Sequence, residues 1–166
     1  MRNLALSDPL TGLANHRQLM HVLDGEIKRS QRTQRPFAVL FLDVDRLKRI
    51  NDRHGHLVGS RALCRVAEAL RASSRMVDTA ARFGGDEFAL VLPESGAAAA
   101  RLVAARIAQR LSLDGGSPEV SVSVGLAVYP QDGETIEELL GMADGGLYEA
   151  KARCTAKSSG RRQARA

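Results

Sequence analysis

A chain of 166 residues with 44% hydrophobic and 26% charged residues has the length and composition of one globular domain, which excludes a disordered, fibrous or two-domain protein. No apolar run nears the ~20 residues that cross a bilayer, and Met1 to Pro9 contain neither a signal core nor a cleavage site, so a cytosolic domain with no membrane contact is expected. Much of the net charge of +5 sits between Lys151 and Arg165, and with 4% aromatic residues and no Trp the chain lacks the basic and aromatic surface of a nucleic acid polymer binder, whereas a basic site for a small polyphosphate fits.

In chain order, Gln18 to Arg29 place Leu19, Val22, Leu23 and Ile27 at helical spacing behind a capping Asn15. Phe37 to Val44 (FAVLFLDV) is a continuous apolar run bounded by Pro36 and by charge, which predicts a buried strand. Arg46 to Asn51 can turn helical, and a further helix is expected from Gly59 to Ala72 with Leu63, Val66, Ala67 and Leu70 on one face. Asp78 to Arg82 and Phe88 to Leu92 read as two arms of a hairpin around Gly84-Gly85. An Ala-rich helix from Ser95 to Leu111, an alternating strand from Val120 to Val128 and an amphipathic helix from Thr135 to Arg153 complete the chain. This order predicts a single-domain α/β sandwich with a mixed central sheet, similar to the ferredoxin-like palm.

Chemistry is concentrated at two strand ends. Asp43 and Asp45 follow the most apolar strand, and Asp86 and Glu87 sit at the hairpin tip; carboxylates from adjacent strand ends can meet. Oxygen ligands at that density suit Mg²⁺ or Mn²⁺, which bind through one or two carboxylates plus substrate phosphates. Such a metal would clamp a triphosphate and acidify an attacking hydroxyl. Gly84 and Gly85, lacking Cβ atoms, allow a ligand close to the backbone, and Lys48 supplies a nearby cation. On composition alone, an ordinary acidic hairpin turn explains the same residues. Cys64 and Cys154 have no CxxC partner and are expected to be reduced and structural, and His16, His21, His54 and His56 show no zinc spacing. Tyr129, Phe83 and Phe88 read as core.

Five segments in order carry a resemblance that covers residues 8 to 151. RFGGDEF (Arg82 to Phe88) resembles the signature of the GGDEF family of dinucleotide cyclases. DPLTGLAN (Asp8 to Asn15), LDVDRLKRINDRHGHLVG (Leu42 to Gly59), VSVGLAVYP (Val122 to Pro130) and ADGGLYEAK (Ala143 to Lys151) resemble the family's other motifs. The resemblance implies a cyclase domain over residues 1–157, with 158–166 as a disordered basic tail. It implies that Asp43, Asp86 and the backbone carbonyl of Val44 hold the metal, with Glu87 assisting the metal or helping to deprotonate a 3′-hydroxyl. Lys48, the main-chain amides near Arg46 and Leu47, Gly85 and Lys151 would contact phosphates, the amides by the anion preference of helix N-termini. Two such domains, each holding one nucleoside triphosphate, would face each other as a homodimer to make a cyclic dinucleotide. Regulation in the family comes from attached domains, so 166 residues read as a catalytic fragment or a small member.

Two departures bear on the substrate. The residue after the last Gly of G-H-x-x-G is usually Asp and reads guanine together with the Asn of I-N-D; here the pair is Asn51 and Ser60. A buried carboxylate pairs with guanine N1–H and the 2-amino group and is stranded by adenine, whereas a serine hydroxyl both donates and accepts and costs little when partly satisfied. This resembles a hybrid promiscuous branch that uses GTP and ATP and makes cyclic GMP-AMP beside cyclic di-GMP; a poor diguanylate cyclase is the alternative. Beyond Lys151 the family's Gly-Arg-Asn is replaced by Cys154-Thr155-Ala156, so either Arg153 substitutes for the missing arginine or triphosphate binding is weaker. Arg75-Met76-Val77-Asp78 matches the family's RxxD product-inhibition site, with Arg82 adding contacts. A catalytically weak cyclic-dinucleotide receptor is the rival reading, opposed by the intact Asp43, Lys48, Asp86 and Glu87.

Overall fold

The computed structural model describes residues 5–147. Lys151, the cysteine-containing segment after it and the tail 158–166 lie outside the described residues. The elements are α1 (His16–Thr33), β1 (Phe37–Val44), α2 (Leu47–His54), α3 (His56–Ser73), β2 (Thr79–Arg82), β3 (Glu87–Leu92), α4 (Ala97–Leu113) and β4 (Val122–Tyr129). A further helix, α5, occupies 136–147 and reaches the end of the described residues. Every element follows the order read from the sequence, and the Asn15 side chain caps α1 by accepting from the Gln18 amide.

The four strands are ordered β2-β3-β1-β4. All three pairings are antiparallel, so the mixed sheet expected from the sequence reduces to one parallel bridge between Ala14 and Ala81. Insertion explains this. β1 and β2 run parallel to each other, as do β3 and β4, but β3 is inserted between the first pair and β1 between the second.

Each face of the sheet carries its own core. Ala38, Leu40, Leu42 and Val44 of β1 pack with Leu63, Val66 and Leu70 of α3 and Ile107 and Leu111 of α4. Phe37, Val39 and Phe41 point the other way, to Leu19 and Leu23 of α1 and Leu139, Ala143 and Leu147 of α5. Coverage on both faces is why β1 reads as an unbroken apolar run although its neighbours are antiparallel. Phe88 and Tyr129 are buried and Phe83 packs against the α1 side of the core, as expected. Among the described residues no helix is long and apolar enough to cross a membrane.

Candidate active site

β1 ends beside the start of β3, with Asp43 directly across from Glu87. The Val44 amide donates to the Asp86 carbonyl at 3.0 Å, which ties the end of β1 to the hairpin tip. Asp43, Asp86 and Glu87 consequently converge, with one carboxylate oxygen of each inside a group spanning 4.8 Å. Asp43 is only 7% exposed, and three carboxylates at this spacing repel one another unless a cation is shared among them. The donor set is all hard oxygen, which suits Mg²⁺ or Mn²⁺ and not a soft metal. These residues fit the cation that the sequence implied.

The hairpin tip is held from behind by Arg82. Its guanidinium donates to the carbonyls of Gly84 (3.1 Å) and Gly85 (2.8 Å) and to Asp8 (3.2 Å). Asp8 also accepts from the Thr11 amide at 2.8 Å and hydroxyl at 2.7 Å. Burial pushes the Asp8 carboxyl up, but the Thr11 hydrogen bonds and the Arg82 charge outweigh it and hold the group below its usual value of 3.8. Arg82, expected at an inhibitory product site, here spends its guanidinium on the hairpin tip and on Asp8. The DPLTGLAN segment was visible as a motif, but nothing local in it revealed that Asp8 would meet a residue 74 positions away.

Gly84 and Gly85 do not take left-handed φ angles. A Cβ on Gly84 would stand 2.8 Å from the Glu87 carboxylate, while the space beside Gly85 is open, so these glycines serve close approach.

Past Val44 the chain turns at Arg46, whose φ of 57° is left-handed, into the short helix α2. No side chain caps α2, which leaves its first amides available to an anion, and Lys48 is exposed on its first turn. Arg46, Lys48, Arg49, Asp52 and Arg53 line an open depression along this helix. Asp45, which stood beside Asp43 in sequence as a possible ligand, turns instead to β4 and accepts from the Ser121 and Ser123 hydroxyls at 2.7 and 2.6 Å.

The two base-reading candidates come together through Gly59. Asn51 sits in α2 with its side chain laid on the backbone of Gly59 in α3, so closely that a Cβ there would be 1.7 Å from Asn51 Oδ1. Ser60, half-buried, is the next residue. The GHLVG spacing marked this glycine; its reason, the seating of Asn51, is a tertiary contact.

Arg75 and Asp78 hold each other. The Asp78 side chain is 1% exposed and accepts from the Arg75 amide at 2.6 Å and guanidinium at 3.1 Å. Arg75 also donates to the Pro93 carbonyl and the Ser95 hydroxyl. In this arrangement the RxxD pair closes the turn between α3 and β2, and a ligand there must compete with these partners.

Residues 5–157 match the family described as diguanylate cyclase, GGDEF domain. The chain belongs to the GGDEF family. It is 43% identical over 152 residues to the bifunctional diguanylate cyclase/cyclic di-GMP phosphodiesterase MucR of Pseudomonas aeruginosa, an alignment covering 89% of this chain and 22% of MucR. It is 37% identical over 159 residues to the response regulator PleD of Caulobacter vibrioides, covering 90% of this chain and 34% of PleD. This GGDEF domain thus spans only about a fifth to a third of the length of those curated relatives. Among solved structures, a sensory box/GGDEF family protein from Caulobacter crescentus superposes with a TM-score of 0.82 at 37% identity, covering 90% of this chain and 99% of that one. The GGDEF domain of DgcB from the same organism, in complex with c-di-GMP, gives 0.82 at 27% identity over 92% and 93% of the two chains.

Proposed function

We propose that this GGDEF domain condenses two molecules of GTP into cyclic di-GMP, and that Ser60 also admits ATP, so that cyclic GMP-AMP forms from a mixture. The observation that carries the reading is the convergence of Asp43, Asp86 and Glu87 beside an uncapped helix start and the Asn51–Ser60 pair. In each half-reaction a 3′-oxygen attacks the α-phosphorus of the facing nucleotide, its proton is released, and pyrophosphate leaves.

Asp43 and Asp86, with the Val44 carbonyl, would hold Mg²⁺ or Mn²⁺. When bound, the cation neutralises triphosphate charge and lowers the pKa of the attacking hydroxyl. Glu87 shares the metal or accepts the hydroxyl proton. The amides following Arg46 and the Lys48 ammonium receive the phosphates, and Gly85 leaves room for them beside the loop. Lys151 adds a further cation to the terminal phosphates. Because one domain holds one triphosphate, turnover needs two copies face to face.

Asn51 and Ser60 read the base. Aspartate in place of Ser60 would be left unpaired by adenine, whereas the serine hydroxyl adapts to either purine. Relatives named for diguanylate cyclase activity support the GTP half of the reading, and the chemistry of Ser60 supports the ATP half.

The test incubates concentrated protein and Mg²⁺ with GTP, with ATP, or with both, and identifies products by mass spectrometry, with Asp86→Ala as the blank. Cyclic di-GMP from GTP and cyclic GMP-AMP from the mixture are expected, and Ser60→Asp should remove the mixed product. Cyclic di-GMP alone would refute relaxed base reading. Absence of any product would replace the cyclase by a cyclic-dinucleotide receptor acting through Arg75 and Asp78.

A further inference from the structure

Between the end of β1 and the start of α2 stand two residues, Asp45 and Arg46, and the first of them is fastened on three sides. Its amide donates to the Ser121 carbonyl at 2.9 Å. Its two carboxylate oxygens accept from Ser121 Oγ at 2.7 Å and Ser123 Oγ at 2.6 Å. Ser123 is buried and lies directly across from Asp43 in the β1–β4 pairing, so the clamp is built onto the strand that flanks the metal-binding carboxylate. The preceding residue, Val44, is tied in the opposite direction, to the Asp86 carbonyl on the catalytic hairpin. Where the chain leaves the sheet, it is held from both neighbouring strands at consecutive positions.

The following residue shows why a clamp is required. Arg46 adopts a left-handed φ of 57°, which costs a non-glycine residue about 1 kcal/mol or more unless its surroundings enforce it. No side chain caps α2, and its first turn is closed by the Ile50 amide donating to the Arg46 carbonyl at 3.0 Å, which ties that turn to Arg46 and not to the sheet. The direction of the amides and of Lys48 is therefore set by the residue just upstream.

We infer that Asp45 is a positioning residue, locked by the Ser121 and Ser123 hydroxyls, that fixes the start of α2 at the angle and distance from Asp43 at which it receives a triphosphate. Both its oxygens accept from hydroxyls, and Asp45 does not join the group formed by Asp43, Asp86 and Glu87. Its place in turnover depends on the cyclase reading, whereas its hold on the backbone does not.

The test compares the full chain with two double variants, Ser121→Ala/Ser123→Ala and Ser121→Thr/Ser123→Thr, and with the alanine pair carrying Asp45→Ala in addition. Hydrogen exchange of amides 46–50 without nucleotide reads the clamp itself, and steady-state kinetics with GTP read its consequence. Loss of two hydrogen bonds to a charged group should speed exchange at 46–50 and raise the KM for GTP, each by about tenfold or more, while kcat at saturation falls less and amides of β1 keep their protection. Threonine retains both hydroxyls and should restore parental values. Asp45→Ala added to the serine-to-alanine pair should cost little more, because the three residues act as one unit. Parental exchange and KM in the alanine pair would overturn the inference, as would loosening that spreads evenly over the sheet or a failure of threonine to rescue. If the parent makes no product, the cyclase reading falls, and the exchange at 46–50 still decides whether the clamp exists.

Discussion

Replacing Gly59 by alanine adds a single methyl group at the point where α2 and α3 bring together Asn51 and Ser60, the proposed base-reading pair. The new Cβ would stand 1.7 Å from Asn51 Oδ1 and 2.8 Å from its Cγ, against an ordinary carbon contact of roughly 3.5 Å. The three nearest atoms all belong to the Asn51 side chain, which can swing aside, so the Asn51 amide must retreat by roughly 1.5–2 Å while the helices stay in place. Glycine inside a helix is about 0.5–1 kcal/mol less favourable than alanine, so the same change strengthens α3. The two effects fall on different observables. Thermal melting should be unchanged or raised by up to about 3 °C. Losing one or two hydrogen bonds to the base, each worth about 1–1.5 kcal/mol, should raise the KM for GTP by about ten- to a hundredfold. Pyrophosphate release measured against GTP concentration reads the second quantity directly. A KM within about twofold of the parent at unchanged stability would refute the seating of Asn51 as the purpose of this glycine. A large fall in melting temperature would show the contact to be structural.

Asp86→Asn keeps the shape of the hairpin tip but removes a charge from the three-carboxylate group, and should lower turnover by at least about a hundredfold and weaken Mn²⁺ binding measured by paramagnetic resonance. Chelation by EDTA should abolish product formation in the parent, reversibly on adding Mg²⁺. Arg82→Ala leaves Asp8 without its cation and frees the Gly84 and Gly85 carbonyls, which should cost about 3 kcal/mol, or about 6–12 °C in melting temperature. Because the Asp8 carboxyl is held below 3.8 in the fold, its stabilisation is complete above that pH and is lost as pH falls through the lowered value; the stability gap between parent and Asp8→Asn should therefore narrow below about pH 4. Gly125→Ala would drive a Cβ to 1.7 Å from the Ala143 carbonyl oxygen, a backbone atom that cannot swing aside, and should cost about 1–3 kcal/mol or more, read as a lowered melting temperature.

The sequence by itself determined the elements and the chemical inventory. The apolar run of β1, the periodicity of α1 and α3, the glycine turn before β3 and the Asn15 cap are local properties, and each appears within a few residues of its expected place. The order of five motifs likewise singled out Asp43, Asp86 and Glu87, which the fold brings together, and is the source of the proposal that Asn51 and Ser60 read the base.

Contacts across the chain were decided only in three dimensions. The insertion of β3 between β1 and β2 turned an expected mixed sheet into an antiparallel one, since strand neighbours depend on long-range packing and not on element order. Asp45 and Asp43 look alike in sequence, yet Ser121 and Ser123, at the start of β4, hold one apart while the hairpin brings Asp86 and Glu87 to the other. Arg82 and Asp8, 74 residues apart, became one ion pair behind the hairpin tip, and Arg75 closed on Asp78 within its own turn. Such partnerships depend on which side chains the packed sheet leaves within hydrogen-bonding distance, and local periodicity carries no record of that.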